Sequence, residues 1–335
     1  MPLARFQTFD DPEGFQASFR ATDCEMLSQA KSFSARLSRM DFDRLWMQRA
    51  DMAGPVVFHG RSAPMRFGVV FLADSRQAHP FDEGVELSSE EVLIYPAGEV
   101  GHFWSRAASR IAMMSLDEAD AARASVLTTG IDLTPPRAVQ VVRPDLPALE
   151  RLRALHQKAS RLAELEPAAF AKPAIVTSLE RGLTGALMAC VAPGNSTEAA
   201  RSRASHSRVI ARFEEFLEAR RREPVYLPEI CAAIGASERT LRSCCHERFG
   251  TGPIRYLWLR RMHLARSALL AADPALTTVT EIATGHGFWE LGRFSTEYRK
   301  LFGEPPSLAL RRAASAGRHQ VDAPAIVPNP HSPHG

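Results

Sequence analysis

Between Ser207 and Arg312 the chain writes one pattern twice: a short amphipathic helix, a glycine turn, then a second helix. No other feature constrains the fold as tightly. In the first copy, LPEICAAIGASERTLRSCCHERFG, a helix over 227–234 must stop at Gly235, which takes the left-handed backbone of a sharp helix–helix turn. Ser237 caps the next helix, whose first turn begins at Glu238, and Ile230, Ile234, Leu241 and Phe249 form an apolar wedge between the two. In the second copy, VTEIATGHGFWELGRFSTEYRKLFG, Ile282 and Ala283 lie on the first helix and His286-Gly287-Phe288 make the turn. Phe294, Tyr298 and Phe302 line the inner face of its second helix. A helix-turn-helix places that second helix in the major groove of DNA.

A longer helix, PIRYLWLRRMHLARSALL, joins the copies, with Ile254, Leu257, Trp258, Met262, Ala265 and Leu269 on one stripe. At 1.5 Å per residue it spans roughly 26 Å; with the flanking units added, the two second helices are expected about 34 Å apart, one turn of B-DNA. Ahead of both copies, SRVIARFEEFLEARRRE turns Val209, Ile210, Phe213, Phe216 and Leu217 inward until Pro224 blocks it.

IGASERTL, GPIRYLWLRRMHLARSALL and IATGHGFWELGRFSTEYRKLFGEPPS resemble the DNA-binding domain of the AraC/XylS family of transcription activators, over about 105 of the 335 residues. Gly292 departs from the family's usual Ser or Ala, and Tyr298 from its usual Phe. With Leu241 and Cys245 facing inward, Arg239, Arg242, Ser243 and His246 form the outward, base-reading set of the first unit. The two arginines suit bidentate contact with guanine, worth roughly 1–3 kcal/mol of discrimination each. In the second unit Leu291, Gly292, Arg293 and Thr296 match the family's base-facing positions, and Leu291 offers only apolar contact. Arg260, Arg261, Arg299 and Lys300 are candidates for phosphate contacts, which fix register without reading sequence. Trp258 and Trp289 are expected to pack in the core or at its rim.

The rest of the chain reads differently, and the whole is expected to be α+β. VVFHG, RFGVVFLA, EVLIYPAG and RIAMMSL, between Val56 and Leu116, are short apolar runs broken by turn residues, the signature of a sheet or barrel. Phe33–Trp46 can add strands. LPALERLRALHQKASRLAEL and IVTSLERGLTGALMACV have helical spacing. This gives a β-rich sensor or dimerisation domain over 1–143, a helical connector over 144–192, a linker over 193–205, the DNA-binding domain over 206–312 and a disordered tail over 313–335. From 206 to 312, 17 Lys and Arg face 12 Asp and Glu, a net of +5, while residues 1–205 carry −2. A basic segment on a neutral body suits a polyanion.

IYPAGEVGHFW resembles the cupin-like sensor domain of the same family. The resemblance implies a small-molecule effector, a possible homodimer, and RNA polymerase as well as double-stranded DNA among the partners. His59, His79 and His102 lack the close His pair and following Glu of metal-binding cupins, so ordinary packing is expected of them and no metal or cofactor. Five cysteines without a CxxC pair point to a reducing compartment, and no run of 18 uncharged apolar residues or secretory signal is present, so a cytoplasmic chain is expected. Consecutive Cys244, Cys245 and His246 project about 100° apart on a helix and cannot converge on one ion. The competing reading is an enzyme, cupin-like or thiol-based, fused to a DNA-binding domain; it needs an activated cysteine in a basic setting or a His/Glu metal cluster.

Overall fold

The computed structural model describes residues 3–20, 22–30, 32–130, 136–191, 196–197, 204–220 and 225–312. The expected tail over 313–335, and most of the linker over 193–205, lie outside them. The described residues fall into two compact units. One holds those up to 220 together with Val225–Leu259, and the other begins at Arg260.

The first unit opens with strand β1 (Leu3–Phe9), helix α1 (Pro12–Ser18), β2 (Thr22–Ser28), β3 (Ala35–Asp41), β4 (Leu45–Met52), β5 (Val56–Arg61) and β6 (Arg66–Leu72). It continues through β7 (Phe81–Asp82), β8 (Val85–Glu86), β9 (Val92–Tyr95), β10 (Val100–Trp104), β11 (Ser109–Asp117), α2 (Glu118–Thr129) and β12 (Gln140–Val142). Helix α3 (Leu146–Leu165), a 3-10 turn over Pro167–Ala171, α4 (Pro173–Val191) and β13 (Ser196–Thr197) follow. The strands form two antiparallel sheets, ordered β1-β3-β4-β11-β6-β9-β12-β13 and β2-β5-β10-β7-β8. The apolar runs read from the sequence as strands are β5, β6, β9 and β11; β1, β2, α1 and α2 were not read.

Side chains alternate across a strand, and here the alternation divides two cores. On the larger sheet Leu45, Met47, Phe67, Val69, Phe71, Val92, Ile94, Ala112, Met114 and Leu116 face α3 and α4. The intervening Ala50, Met52, Leu72, Leu93, Tyr95 and Ile111 face Met26, Val56 and Phe103 of the smaller sheet. The two helices read as a connector therefore cover the larger sheet: Leu149, Leu152, Leu183 and Leu187 are fully buried in its outer core. Helix α4 is long and apolar enough to cross a membrane by length and composition, although it carries Glu180 and Arg181. Its apolar stripe, including Val176, Leu179 and Met188, belongs to that same core.

Between the two sheets lies a cavity of about 150 Å³. Phe58 and Gly60 of β5, Asp82 of β7, Gly101 and Phe103 of β10 and Tyr95 of β9 are among its walls. The opposite face of the smaller sheet carries Glu25, His59, His102 and Trp104, each one residue out of phase with the cavity positions.

Helices α5 (Ala204–Ala219), α6 (Leu227–Ile234), α7 (Glu238–Phe249) and α8 (Pro253–Ala271) come next, and α8 runs across the boundary at Leu259. The second unit holds the rest of α8, then α9 (Val279–Gly285), α10 (Leu291–Phe302) and a last helical stretch over 306–312.

Candidate nucleic-acid interface

Helix α6 ends at Gly235, in the left-handed region at φ 66°, and the Ser237 hydroxyl accepts from Thr240 N at 3.1 Å to start α7. Both sequence expectations hold at the residue. Ile230, Ile234, Leu241, Cys245 and Phe249 are buried, and Phe249 stacks on Tyr256 with ring centroids 4.2 Å apart. A 3.6-residue turn then sends Arg239, Arg242, Ser243 and His246 outward, and all four are exposed. Arg242 pairs with Glu238 at 2.6 Å, one turn back, a surface ion pair worth a few tenths of a kcal/mol. A groove can exchange it for a base edge at little cost.

The second unit reaches the same layout by other chemistry. Thr278 and Glu281 form a reciprocal capping box at the start of α9: Glu281 N donates to Thr278 Oγ1 at 3.2 Å and Thr278 N to the Glu281 carboxylate at 2.8 Å. Those hydrogen bonds hold the Glu281 carboxyl below the usual carboxylate range. The turn passes through Gly287 at φ 77°. Phe288 packs on Phe294 at 4.9 Å, Phe294 on Tyr298 at 5.6 Å and Tyr298 on Phe302 at 4.6 Å. This aromatic ladder leaves Gly292, Arg293 and Thr296 exposed and Leu291 half-buried at the head of α10. A buried Arg266–Glu304 pair at 3.0 Å ties α8 to the stretch beyond α10.

The phosphate candidates separate. Arg299 and Lys300 are exposed in the last turn of α10, Lys300 reaching Glu297 at 2.8 Å. Arg261 is half-buried, its guanidinium 5.4 Å from the Phe288 ring. Arg260 is 7 % exposed. It shares the helical face of buried Tyr256 and His263, four residues before it and three after, so that face packs inward. Ile254, read as part of the buried stripe, is instead 63 % exposed.

Residues 230–312 match a family described as a helix-turn-helix domain. Over 97 residues the chain is 42% identical to the probable thc operon regulatory protein of Rhodococcus erythropolis, covering 29% of each. Over 101 residues it is 33% identical to XylDLEGF operon transcriptional activator 3 of Pseudomonas putida, covering 30% of each. Over this domain the chain is similar to AraC/XylS-type operon regulators. The similarity spans less than a third of either relative's own length. A solved structure of a probable AraC family transcriptional regulator from Rhodopseudomonas palustris is 34% identical, covering 31% of this chain and 96% of that one, with a TM-score of 0.29.

Two features of this interface escaped the sequence reading. Trp289, expected at the rim of a core, is 72 % exposed immediately before α10, beside the reading positions. Arg248 is buried in α7, where its guanidinium meets the Glu83 carboxylate. The spacing of Leu241, Cys245 and Arg248, i, i+4 and i+7, carried that second signal: it puts all three on one face. Burial draws the Arg248 guanidinium below its ordinary value, against the pull of Asp82.

The cysteines and histidines have defined surroundings. Burial raises the Cys231, Cys244 and Cys245 thiols, and nearby Glu238 and Glu247 push Cys231 and Cys244 further, so these groups are protonated at neutral pH. Burial lifts Cys190 to about 12. His102 lies between two carboxylates, Nδ1 3.2 Å from Glu83 and Nε2 2.8 Å from Glu214. His59 is 3.9 Å from Glu25 and from Glu214, and His79 3.6 Å from Glu86.

Proposed function

We propose that this chain is a sequence-specific, double-stranded-DNA-binding regulator of transcription. Arg239, Arg242, Ser243 and His246 read bases through the first unit, and Leu291, Gly292, Arg293 and Thr296 through the second. Arg261, Arg299 and Lys300 hold phosphates, and Trp289 adds an apolar contact to the backbone. The observation that carries this reading is the phase of α7 and α10: the positions assigned to bases are exposed, apart from half-buried Leu291, and the residues between them, Leu241, Cys245, Phe294 and Tyr298, are buried. Helix α8, 19 residues and roughly 28 Å long, is the element that joins the two units in this reading.

The N-terminal sheets serve as the sensor, with a small molecule in the cavity between them, and the working species is cytoplasmic, dimeric in its regulatory form and engaged with RNA polymerase. The chain acts by binding, without chemistry of its own. The thiol-based alternative requires a thiolate, and the raised Cys231, Cys244 and Cys245 groups disfavour one. Selection of duplexes by the full chain from a random pool is the direct experiment. Convergence on one sequence, with affinity falling steeply as salt rises, is expected; retention without enrichment of any sequence contradicts specific reading.

A further inference from the structure

The smaller sheet has the cavity on one face and the first helix-turn-helix unit on the other, and β7 ends in a residue that serves each. Asp82 is buried and faces the cavity, where its carboxylate accepts the Tyr95 hydroxyl. Glu83, next in the chain, points the opposite way. Its Oε1 accepts from His102 N at 2.9 Å, and its Oε2 takes the guanidinium of Arg248 from α7.

The backbone at Glu83 is unusual. Phe81 pairs with Glu86 and Asp82 with Val85, so Glu83 and Gly84 are a two-residue hairpin loop with φ of 51° and 77°. Loops of this type favour Asn or Gly, which enter the left-handed region without the strain a longer side chain meets. A glutamate held there is over-determined by its contacts, and such strain collects at working positions.

The contact also has no slack. A Cβ on Gly84 would fall 2.7 Å from the Glu247 side chain, and one on Gly250, at the end of α7, 2.4 Å from the Trp104 ring. Trp104 Nε1 donates to the Glu247 carbonyl at 3.1 Å while its ring stacks on Phe81 at 4.0 Å. The Asp82–Glu83 turn and the end of α7 are therefore packed in direct contact.

We propose that Glu83 is the positioning residue through which the state of the cavity sets the seat of α7 on the sheet. It rests on the reading of α7 as a DNA reader and of the cavity as the effector site, and it names the route between them. Occupancy that draws Tyr95 away from Asp82 frees the turn, and the Glu83–Arg248 link carries the change to the helix bearing Arg239 and Arg242.

The test is backbone hydrogen exchange across α7 in the full chain, taken relative to α3 so that a change in overall stability cancels. Two cavity-side substitutions disturb the Asp82 end: Tyr95→Phe removes the donor, and Gly101→Ala places a Cβ 2.9 Å from the Tyr95 ring. Each is expected to speed α7 exchange about fivefold in the natural chain and to leave it unchanged in a Glu83→Gln background. Because Glu83→Gln leaves Arg248 buried opposite a neutral group, the same comparison is made in Glu83→Gln/Arg248→Met, where neither charge remains. A fivefold response that persists in either background, or no response in the natural chain, overturns the proposal. No reading here uses DNA, so failure leaves sequence-specific binding standing, and failure to bind DNA leaves the coupling to be judged by exchange alone.

Discussion

The two helix-turn-helix units share a plan and differ in what closes them. The first is wedged by aliphatic residues and cysteines, carries Arg239 and Arg242 on its outer face, and sends Arg248 inward to a carboxylate of the smaller sheet. The second is closed by an aromatic ladder and presents Leu291, Gly292, Arg293 and Thr296, with Trp289 exposed beside them. Arginine forks discriminate bases, whereas small and apolar groups chiefly add contact area. In the proposed reading, two arginine forks against one give the first unit the larger share of selectivity.

The largest expected effects come from the two cores. Phe249→Ala removes a fully buried ring stacked on Tyr256 and should cost roughly 3–5 kcal/mol. Since Phe249 lies in the same compact unit as the sheets, hydrogen exchange should quicken in β10 as well as α7. Phe294→Ala should cost about as much, with faster exchange confined to residues beyond Arg260. Loosening of β10 by Phe294→Ala would erase the distinction.

At the surface, Arg242→Ala is expected to lose about 1–3 kcal/mol of preference at one base pair, measured by titrating single-base variants of the selected duplex. Leu291→Ala should weaken all variants by similar, smaller amounts, roughly 1 kcal/mol or less, as loss of one apolar contact implies. If Leu291→Ala changes the preference profile more than Arg242→Ala does, the roles are reversed.

A third contrast is acid sensitivity. His156 of α3 is fully buried, with Nε2 3.1 Å from the Gln48 carbonyl, and burial, assisted by Arg49, holds its imidazole down at about 3. Its folded value lies below the unfolded one, near 6.5. Its contribution is therefore complete above pH 6.5 and is lost as pH falls toward 3, by up to about 1.4 kcal/mol per pH unit. Urea unfolding between pH 7 and 4.5 should show this slope in the first unit. In His156→Gln, which keeps a donor for Gln48 and does not titrate, the slope should be shallower by that amount; an unchanged slope would remove His156 as its source.

The DNA-binding half was legible because its signals are local. Gly235 and Ser237 act on backbone torsions within one turn, and Ile230, Leu241, Phe294 and Tyr298 repeat at helical spacing, so the structure places them as read. The N-terminal half was read in part. Runs such as RFGVVFLA are almost wholly apolar because β6 turns Phe67, Val69 and Phe71 into the outer core and half-buried Val70 toward the cavity, but β1 and β2 mix Arg, Gln, Asp and Glu into their alternation and do not stand out from loop. The connector helices gave their period but not their partner, since an amphipathic stripe does not say which sheet it covers. The least legible feature was the junction at Glu83, where a strained turn, Trp104 and Arg248 meet across 165 residues of sequence; no short-range pattern encodes such an encounter.

Hydroxyl-radical footprinting of the full chain on its selected duplex would test two-unit reading most directly. Two protected patches about ten base pairs apart on one face of the helix, with the patch assigned to the first unit weakened by Arg239→Ala, are the expected result. A single patch, or protection independent of sequence, would contradict it.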